Sequence, residues 1–142
     1  MKQDPAFLTI DRPLPELAPE TAEFFRACLR GELLIEECTA CGARQHYPRG
    51  QCIRCGGETR WKRARGEGTV HTFTVIHFNV QEPFVSQTPY VVAMIDLPEG
   101  VRMLTNIVGC SPEAVQIGMP VRVAFAALKA DPAIVIPVWK PA

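Results

Sequence analysis

Long hydrophobic runs are absent from this 142-residue sequence. No stretch approaches the roughly 20 consecutive apolar residues that a membrane-spanning helix needs. The first 20 residues are interrupted by prolines and lack the apolar core of a secretory signal. We therefore expect a cytoplasmic protein with no membrane partner. In that compartment cysteine thiols stay reduced, which favours metal binding over disulfides.

Histidine is scarce as well, with three residues, and none is placed to act as a catalytic base. His71 and His77 lie on one predicted strand, about 20 Å apart because each residue of a strand rises about 3.3 Å. Cys28 is most simply a buried small hydrophobic residue of the helix, and Cys110 has no histidine predictably near it. His46 lies between two Cys-x-x-Cys motifs. A nucleophilic enzyme needs a base beside its nucleophile. The sequence therefore predicts no catalytic residue and no activity of this chain by itself.

Net charge is also absent, because 15 Lys and Arg balance 15 Asp and Glu. The basic residues are nevertheless concentrated, since residues 44–65 carry seven of them and a single acid, Glu58. Such a segment can contact phosphates or an acidic partner surface. A solvated surface without any partner is the alternative. This basic segment consists of Arg44, Arg49, Arg54, Arg60, Lys62, Arg63 and Arg65.

Two Cys-x-x-Cys motifs, Cys38/Cys41 and Cys52/Cys55, are what the sequence contains in place of a catalytic set. Two intervening residues let one tight turn direct both sulfurs at a single point. The glycine after each motif supplies the unusual backbone angles of that turn. Two such turns facing each other form a tetrahedral site of four sulfurs. We predict one structural zinc ion bound by all four cysteines, with iron or a redox dithiol as alternatives.

The segment after the second motif is rich in β-branched residues and predicts five strands, with a short helical turn between the third and fourth. This order favours a five-stranded OB-fold barrel, although another closed meander fits the same periodicity. The predicted strands are Thr69–Phe78, Tyr90–Leu97, Val101–Val108, Pro120–Leu128 and Ile134–Trp139.

The chain before the first motif predicts an amphipathic helix from Glu20 to Arg30, ended by Gly31. Together these patterns indicate a mainly β protein with an N-terminal helix. Its three parts are an extended arm and helix over residues 1–31, a rubredoxin-like zinc ribbon over 32–65, and an OB-fold barrel over 66–142.

Three aromatic residues are candidates for partner contact. Phe24 and Phe25 lie on or near the apolar face of the helix and must pack on the barrel or on another protein, because a ribbon has little core of its own. Phe84 lies in the predicted loop 79–88, where an aromatic residue beside proline is costly to leave in water. Folding back over the barrel is the alternative for Phe84. The full set predicted to contact a partner is Phe24, Phe25, Arg44, Arg49, Lys62, Arg63 and Phe84.

Several short motifs follow one another in a specific order from about residue 16 to the C-terminus. They are Cys38-x-x-Cys41-Gly42, Tyr47-Pro48-Arg49, Cys52-x-x-Cys55-Gly56, Gly66-Glu67-Gly68-Thr69-Val70, Pro89-Tyr90-Val91-Val92, Pro98-Glu99-Gly100-Val101 and Ile117-Gly118-Met119-Pro120-Val121. Together they resemble the family of small zinc-ribbon plus OB-fold accessory proteins, formerly a domain of unknown function, that is associated with thiolase-like enzymes.

The resemblance implies a non-catalytic zinc-binding subunit that binds and supports a thiolase-like enzyme acting on acyl-CoA or acyl substrates. Such complexes have thiolase, aldolase or acyltransferase activity, which the partner carries. In some members this subunit is expected to help hold the acyl-CoA, and the seven residues predicted to contact a partner are then also the candidates for acyl-CoA contact.

Two other functions stay open. The first is a single-stranded nucleic-acid-binding module, since zinc ribbons and OB-folds often bind nucleic acid. Against it, residues 66–142 carry six acids and four bases, and aromatic residues make up 8% of the chain. The second is a free-standing acyl-CoA carrier or sensor without an enzyme partner.

Overall fold

A closed β-barrel, a small three-stranded sheet and one α-helix form the described part of the chain. The computed structural model describes residues 7–142, so the first six residues of the predicted arm lie outside it. The elements are β1 (Leu8–Ile10), α1 (Ala22–Leu29), β2 (Leu34–Cys38), β3 (Arg44–Gln45), β4 (Thr59–Arg63), β5 (Glu67–Ile76), β6 (Tyr90–Asp96), β7 (Arg102–Ile107), β8 (Pro120–Leu128) and β9 (Asp131–Pro141).

The barrel closes through the order β5-β6-β7-β9-β8 and back to β5. Neighbouring strands are antiparallel except β7 and β9, which pair in parallel. A 3-10 turn, Pro112–Ala114, separates β7 from β8. This connectivity is that of a five-stranded OB-fold barrel. The predicted mainly β fold with one helix, a ribbon and an OB-fold barrel is therefore confirmed.

Alternation along the strands explains the barrel core. Val91, Ala93 and Ile95 of β6 are buried, while the residues between them are half-buried, as expected when successive side chains point to opposite faces. Trp139 of β9 is fully buried among them. Burying each large aliphatic side chain contributes about 1.5–3 kcal/mol, so this cluster accounts for much of the barrel's stability.

Helix α1 begins two residues later than predicted, because residues 18–21 form a separate turn. The N–H of Thr21 donates to the carbonyl oxygen of Ala18 at 3.0 Å, and Thr21 Oγ1 accepts from the N–H of Ala18 at 3.1 Å. The helix ends at Leu29, one residue before the predicted end. Gly31 has φ 76°, and its N–H donates to the carbonyl of Cys28 at 2.9 Å, which is the usual glycine stop of a helix.

The helix joins the two β units. It packs against β9 of the barrel and against β2 of the ribbon sheet, whose order is β3-β2-β4. Phe24 is buried and Phe25 is half-buried, so at least the first of these aromatic residues is satisfied within the chain. Upstream, β1 pairs in parallel with the end of β8. Within residues 7–142, no helix is long and apolar enough to cross a bilayer.

Candidate metal centre and adjoining cleft

The sulfur atoms of the two Cys-x-x-Cys motifs converge on one point. Cys38 Sγ lies 3.5 Å from Cys55 Sγ, and Cys41 Sγ lies 3.7 Å from Cys52 Sγ. All four sulfurs lie within 4.8 Å of one another. Four sulfurs bound to zinc at about 2.3 Å stand about 3.8 Å apart, so this spacing fits a tetrahedral zinc ion. Four thiolates complete the tetrahedron and leave no position for water or substrate.

The glycine that follows each motif closes the turn as expected. Gly42 and Gly56 have φ angles of 74° and 76°, which glycine adopts without strain. Their N–H groups donate to the carbonyl oxygens of Cys38 and Cys52 at 3.1 Å and 3.0 Å. Each turn therefore holds its two sulfurs on the same side.

Backbone N–H groups favour the thiolate form that a metal ion binds. The N–H groups of Ala40 and Cys41 both donate to Cys38 Sγ at 3.4 Å, and the N–H of Arg54 donates to Cys52 Sγ at 3.4 Å. The hydrogen bond from Cys41 is the largest cause that lowers the pKa of Cys38, to about 6. The site is thus prepared for a cation by the fold of its own turns.

A buried carboxylate, which sequence reasoning missed, holds the chain between the two motifs. Glu36 Oε1 accepts from the N–H groups of Arg49 and Gly50 at 2.6 Å and 3.1 Å. Gln45 donates from Nε2 to Glu36 Oε2 at 3.0 Å and accepts, through Oε1, from the N–H of Ile53 at 3.0 Å. The only sequence signal was an acid at a strand position facing the ribbon interior.

Acidic residues neutralise part of the basic segment. Glu37 accepts from Arg60 Nη2 at 2.6 Å and from Arg44 Nε at 2.9 Å. The hydrogen bonds from Arg60 and then Arg44 lower the pKa of Glu37 to about 2. Glu32 lies 3.9 Å from Arg63. The net positive charge expected for the segment is therefore reduced by acids that precede it in sequence.

The remaining cations of the basic segment form no ion pair among residues 7–142. Arg49 is exposed and Lys62 is half-exposed. Four basic residues are predicted to contact a partner. Arg44 and Arg63 form ion pairs with acidic residues of the chain, whereas Arg49 and Lys62 form none with the described residues. Their contact with a partner stays a prediction.

An open apolar cleft of about 690 Å³ lies where the arm, α1, the ribbon and the barrel meet. The helix contributes Phe24 and Phe25 and the ribbon contributes residues 46–48. Residues 103–106 of β7 supply the barrel wall, and residues 12–15 supply the arm. Volumes of about 300–1,000 Å³ are typical of small-molecule sites. The structure thus brings the two helix aromatics to one wall of a cleft rather than to an outer surface.

His46 lines this cleft between two aromatic rings. Its ring centroid lies 5.8 Å from Phe24 and 4.4 Å from Tyr47. Its Nδ1 is buried and has no hydrogen-bond partner within the described chain. Burial lowers the pKa of His46 to about 4, so the imidazole is neutral at pH 7. Tyr47 has φ 64°, a left-handed angle that is uncommon outside glycine.

The loop between β5 and β6 presents a different aromatic residue from the predicted one. Phe84 is half-buried, with its ring 5.8 Å from Tyr90 and the Arg12 guanidinium 5.1 Å above it. Phe78 and Val80 are instead 80% and 78% exposed. Strand β5 ends at Ile76, two residues before the predicted end, which places Phe78 outside the sheet. Contact between Phe84 and a partner stays a prediction.

Comparison with known sequences assigns a family. Residues 25–60 match the "ChsH2, rubredoxin-like zinc ribbon domain", and residues 61–126 match the "ChsH2, C-terminal OB-fold domain". A "DUF35 domain-containing scaffold protein" of Methanocaldococcus jannaschii is 38% identical over 108 residues, which are 75% of this chain and 73% of that protein. This chain belongs to the ChsH2/DUF35 family. With the sulfur geometry, this identifies the four cysteines as the structural zinc site of a rubredoxin-like ribbon.

Two further relatives extend the comparison of this DUF35 protein. The "Probable enoyl-CoA hydratase alpha subunit" of Thermomonospora curvata is 38% identical over 132 residues, 92% of this chain. The chain spans only 40% of that relative's length. The solved structure of an "Ltp2-ChsH2(DUF35) aldolase" contains a chain with 36% identity and a TM-score of 0.78, covering 90% of this chain and 98% of that one.

Proposed function

We propose that this chain is a non-catalytic accessory subunit of an enzyme complex that acts on acyl-CoA or acyl substrates, with a thiolase-like partner that carries the chemistry. The observation that carries the proposal is the overlay with a ChsH2 chain of an aldolase assembly, at a TM-score of 0.78 over nearly all of that chain. The relative named as an enoyl-CoA hydratase alpha subunit supports the same substrate class.

The cysteine chemistry of the chain supports a non-catalytic role. Four of the six cysteines form the metal site. Cys28 is buried on α1, and burial raises its pKa to about 12, so it does not supply a thiolate at neutral pH. The zinc site is closed and holds no position for an activated water.

Two surfaces are candidates for contact with the enzyme partner. One is formed by Arg49 and Lys62 on the ribbon, which make no ion pair with the residues that the structure describes. The other is the exposed apolar pair Phe78 and Val80, held on either side of Asn79, which donates to the hydroxyl of Tyr90 at 3.0 Å. The Asn79 hydrogen bond ties this loop to β6, which lowers the cost of ordering the loop on binding.

Co-expression with the thiolase-like protein encoded nearest to this chain tests the proposal. We expect a stable hetero-oligomer. The double variant Arg49→Glu with Lys62→Glu should raise the dissociation constant of this complex at least tenfold. The matched barrel variant, Lys129→Glu with Lys140→Glu, should leave it unchanged. A monodisperse monomer that binds no thiolase-like protein would contradict the proposal.

Nucleic-acid binding receives less support from the same residues. Arg44, Arg60 and Arg63 are held by carboxylates, which leaves fewer cations for a phosphate backbone. Retention on single-stranded DNA that falls steeply with salt would restore that function.

A further inference from the structure

A second concavity, which we call the β1 groove, lies where β1 runs beside strands β8 and β9 of the barrel. Its volume is about 750 Å³, and it shares no lining residue with the cleft formed by the arm, α1, the ribbon and β7. Phe7 and Leu8 line it on the side of β1, and Phe125 and Val138 line it on the side of the barrel. Leu8 is 48% exposed, so large apolar surface is left open there. Concave, mostly apolar sites of this size bind small ligands.

Two cations, Arg122 of β8 and Lys140 of β9, line the same groove. They occupy directly opposite positions of the two antiparallel strands. Like charges in such a cross-strand pair repel each other and destabilise the sheet. Both side chains are exposed, and neither forms an ion pair within residues 7–142. An anion bound between them would relieve this repulsion, so the groove joins an apolar wall to an uncompensated positive charge.

The neighbouring strand β5 indicates which kind of anion fits. Glu67 of β5 lies opposite Arg122 on its other side, without forming an ion pair with it. Two cations and one carboxylate leave one net positive charge at this end of the groove. A singly charged anion matches that charge better than a phosphate monoester, which carries about −1.5 to −2 at pH 7. The planar guanidinium of Arg122 also matches the geometry of a carboxylate.

We propose that the β1 groove binds a small apolar carboxylic acid. The carboxylate is held between Arg122 and Lys140, and the apolar part of the molecule lies against β1 and β8. This site is separate from the ribbon cations Arg49 and Lys62 that are candidates for contact with the enzyme partner. The proposal therefore does not rest on the accessory function, because every residue of the groove belongs to the arm and the barrel of this chain.

Nuclear magnetic resonance titration of the full, zinc-loaded, isotope-labelled chain tests the proposal with three probes. Octanoate has both features of the ligand, 1-octanol lacks the charge, and acetate lacks the apolar chain. We expect octanoate to bind at least about tenfold more tightly than 1-octanol, because a charge-assisted hydrogen bond contributes about that factor. Acetate should not bind. The amide signals of β1, β8 and residues 108–109 should shift. Equal affinities for octanoate and 1-octanol, or shifts confined to other parts of the chain, would overturn the proposal.

A pair of charge variants locates the carboxylate. Arg122→Gln with Lys140→Gln keeps two long polar side chains and should lower the affinity for octanoate to that for 1-octanol, whose own affinity should not change. Lys129→Gln changes an exposed lysine that does not line the groove, so both affinities should stay as in the wild-type chain. If the double variant still prefers octanoate, these two residues do not hold the carboxylate.

Thermal unfolding gives an independent measure of the uncompensated charge. Lys140→Glu places an opposite charge beside Arg122, so the midpoint of thermal unfolding should rise. The same variant should lose the preference for octanoate over 1-octanol. A gain of stability together with a loss of binding is the result expected of a site in which two cations are kept together for a ligand. A midpoint that stays unchanged or falls would contradict the charge argument.

A second copy of this chain is the other candidate occupant of the groove. Sedimentation velocity distinguishes the two, since a dimer that octanoate dissociates would assign the groove to a second copy and overturn the proposal. Arg122→Gln with Lys140→Gln should form the hetero-oligomer with the thiolase-like protein as the wild-type chain does. A complex without octanoate binding would remove the groove proposal alone, whereas octanoate binding by a chain with no partner would remove the accessory function alone.

Discussion

Gln45 donates a hydrogen bond from Nε2 to Oε2 of Glu36 at 3.0 Å, and both side chains are buried within the ribbon. The other oxygen of Glu36 accepts from two backbone N–H groups of the loop that leads to the second zinc-binding turn. The two cysteine motifs are thus joined by a polar network as well as by the metal ion.

Glu36→Ala should destabilise the ribbon by about 2–4 kcal/mol, because it leaves buried donors without an acceptor. The zinc affinity should fall with it, since the second turn loses its support. Thermal unfolding and competition with a chromogenic chelator measure the two effects. Ile53→Ala, at a side chain that is 70% exposed on the same turn, is the control and should change neither.

Zinc removal should unfold the ribbon and leave the barrel. A ribbon of this size buries too little apolar surface to fold alone, whereas most of the buried core around Trp139 comes from the barrel itself. Trp61→Phe isolates the fluorescence of Trp139, which should stay that of a buried indole after chelation. Partner binding should be lost under the same conditions. A complex that survives chelation would show that the ribbon is not needed for assembly.

The stability of the chain should fall as the pH drops from 7 toward 5, because of His46. Its folded pKa, about 4, is below the ordinary value of 6.5, so the unfolded state binds more protons in this window and stability rises with pH. The free energy of unfolding should fall by about 2 kcal/mol between pH 7 and pH 5. Denaturant titrations at the two pH values measure it, and His46→Phe should remove it. An unchanged pH dependence in His46→Phe would assign it to other groups.

Gly68→Ala should disrupt the barrel. A Cβ atom at this position would lie 2.5 Å from Ile95 Cγ2 and 3.0 Å from the carbonyl oxygen of Asp96, so β5 and β6 would have to separate. We expect the free energy of unfolding to fall by about 3 kcal/mol or more, because the core around this position would be overpacked. Gly118→Ala is the matched control, because its φ of 84° is unfavourable for alanine but no atom lies within 4 Å of the added Cβ. This control should lower the free energy of unfolding by about 1 kcal/mol. Chemical unfolding measures both variants.

The metal site could be predicted from the sequence because its signal is local. Two motifs with fixed spacing and a glycine after each determine the turn geometry without reference to the rest of the chain. The barrel could be predicted because alternation and turn residues are also local. The limits of α1 and β5 have no such signal in the sequence, since the hydrogen bonds of Thr21 and the end of the sheet pairing at Ile76 decide them.

The cleft could not be predicted, because its walls are far apart in sequence. Nothing near His46 indicates that Phe24 and β7 come to lie beside it. The loss of net positive charge from the basic segment could not be predicted for the same reason, since strand pairing between β2 and β4 places Glu37 opposite Arg60. The partial burial of Phe84 depends on Arg12, an arm residue more than 70 positions away in sequence, whose guanidinium lies over its ring.

Helix α1 touches both the ribbon and the barrel, and this has a consequence for dissecting the molecule. A fragment that holds only the barrel keeps one wall of the cleft, and a fragment that holds only the ribbon keeps another. Neither fragment retains the whole of this cleft. A negative result from either fragment for a molecule that fits this cleft would therefore describe the missing walls rather than the intact protein.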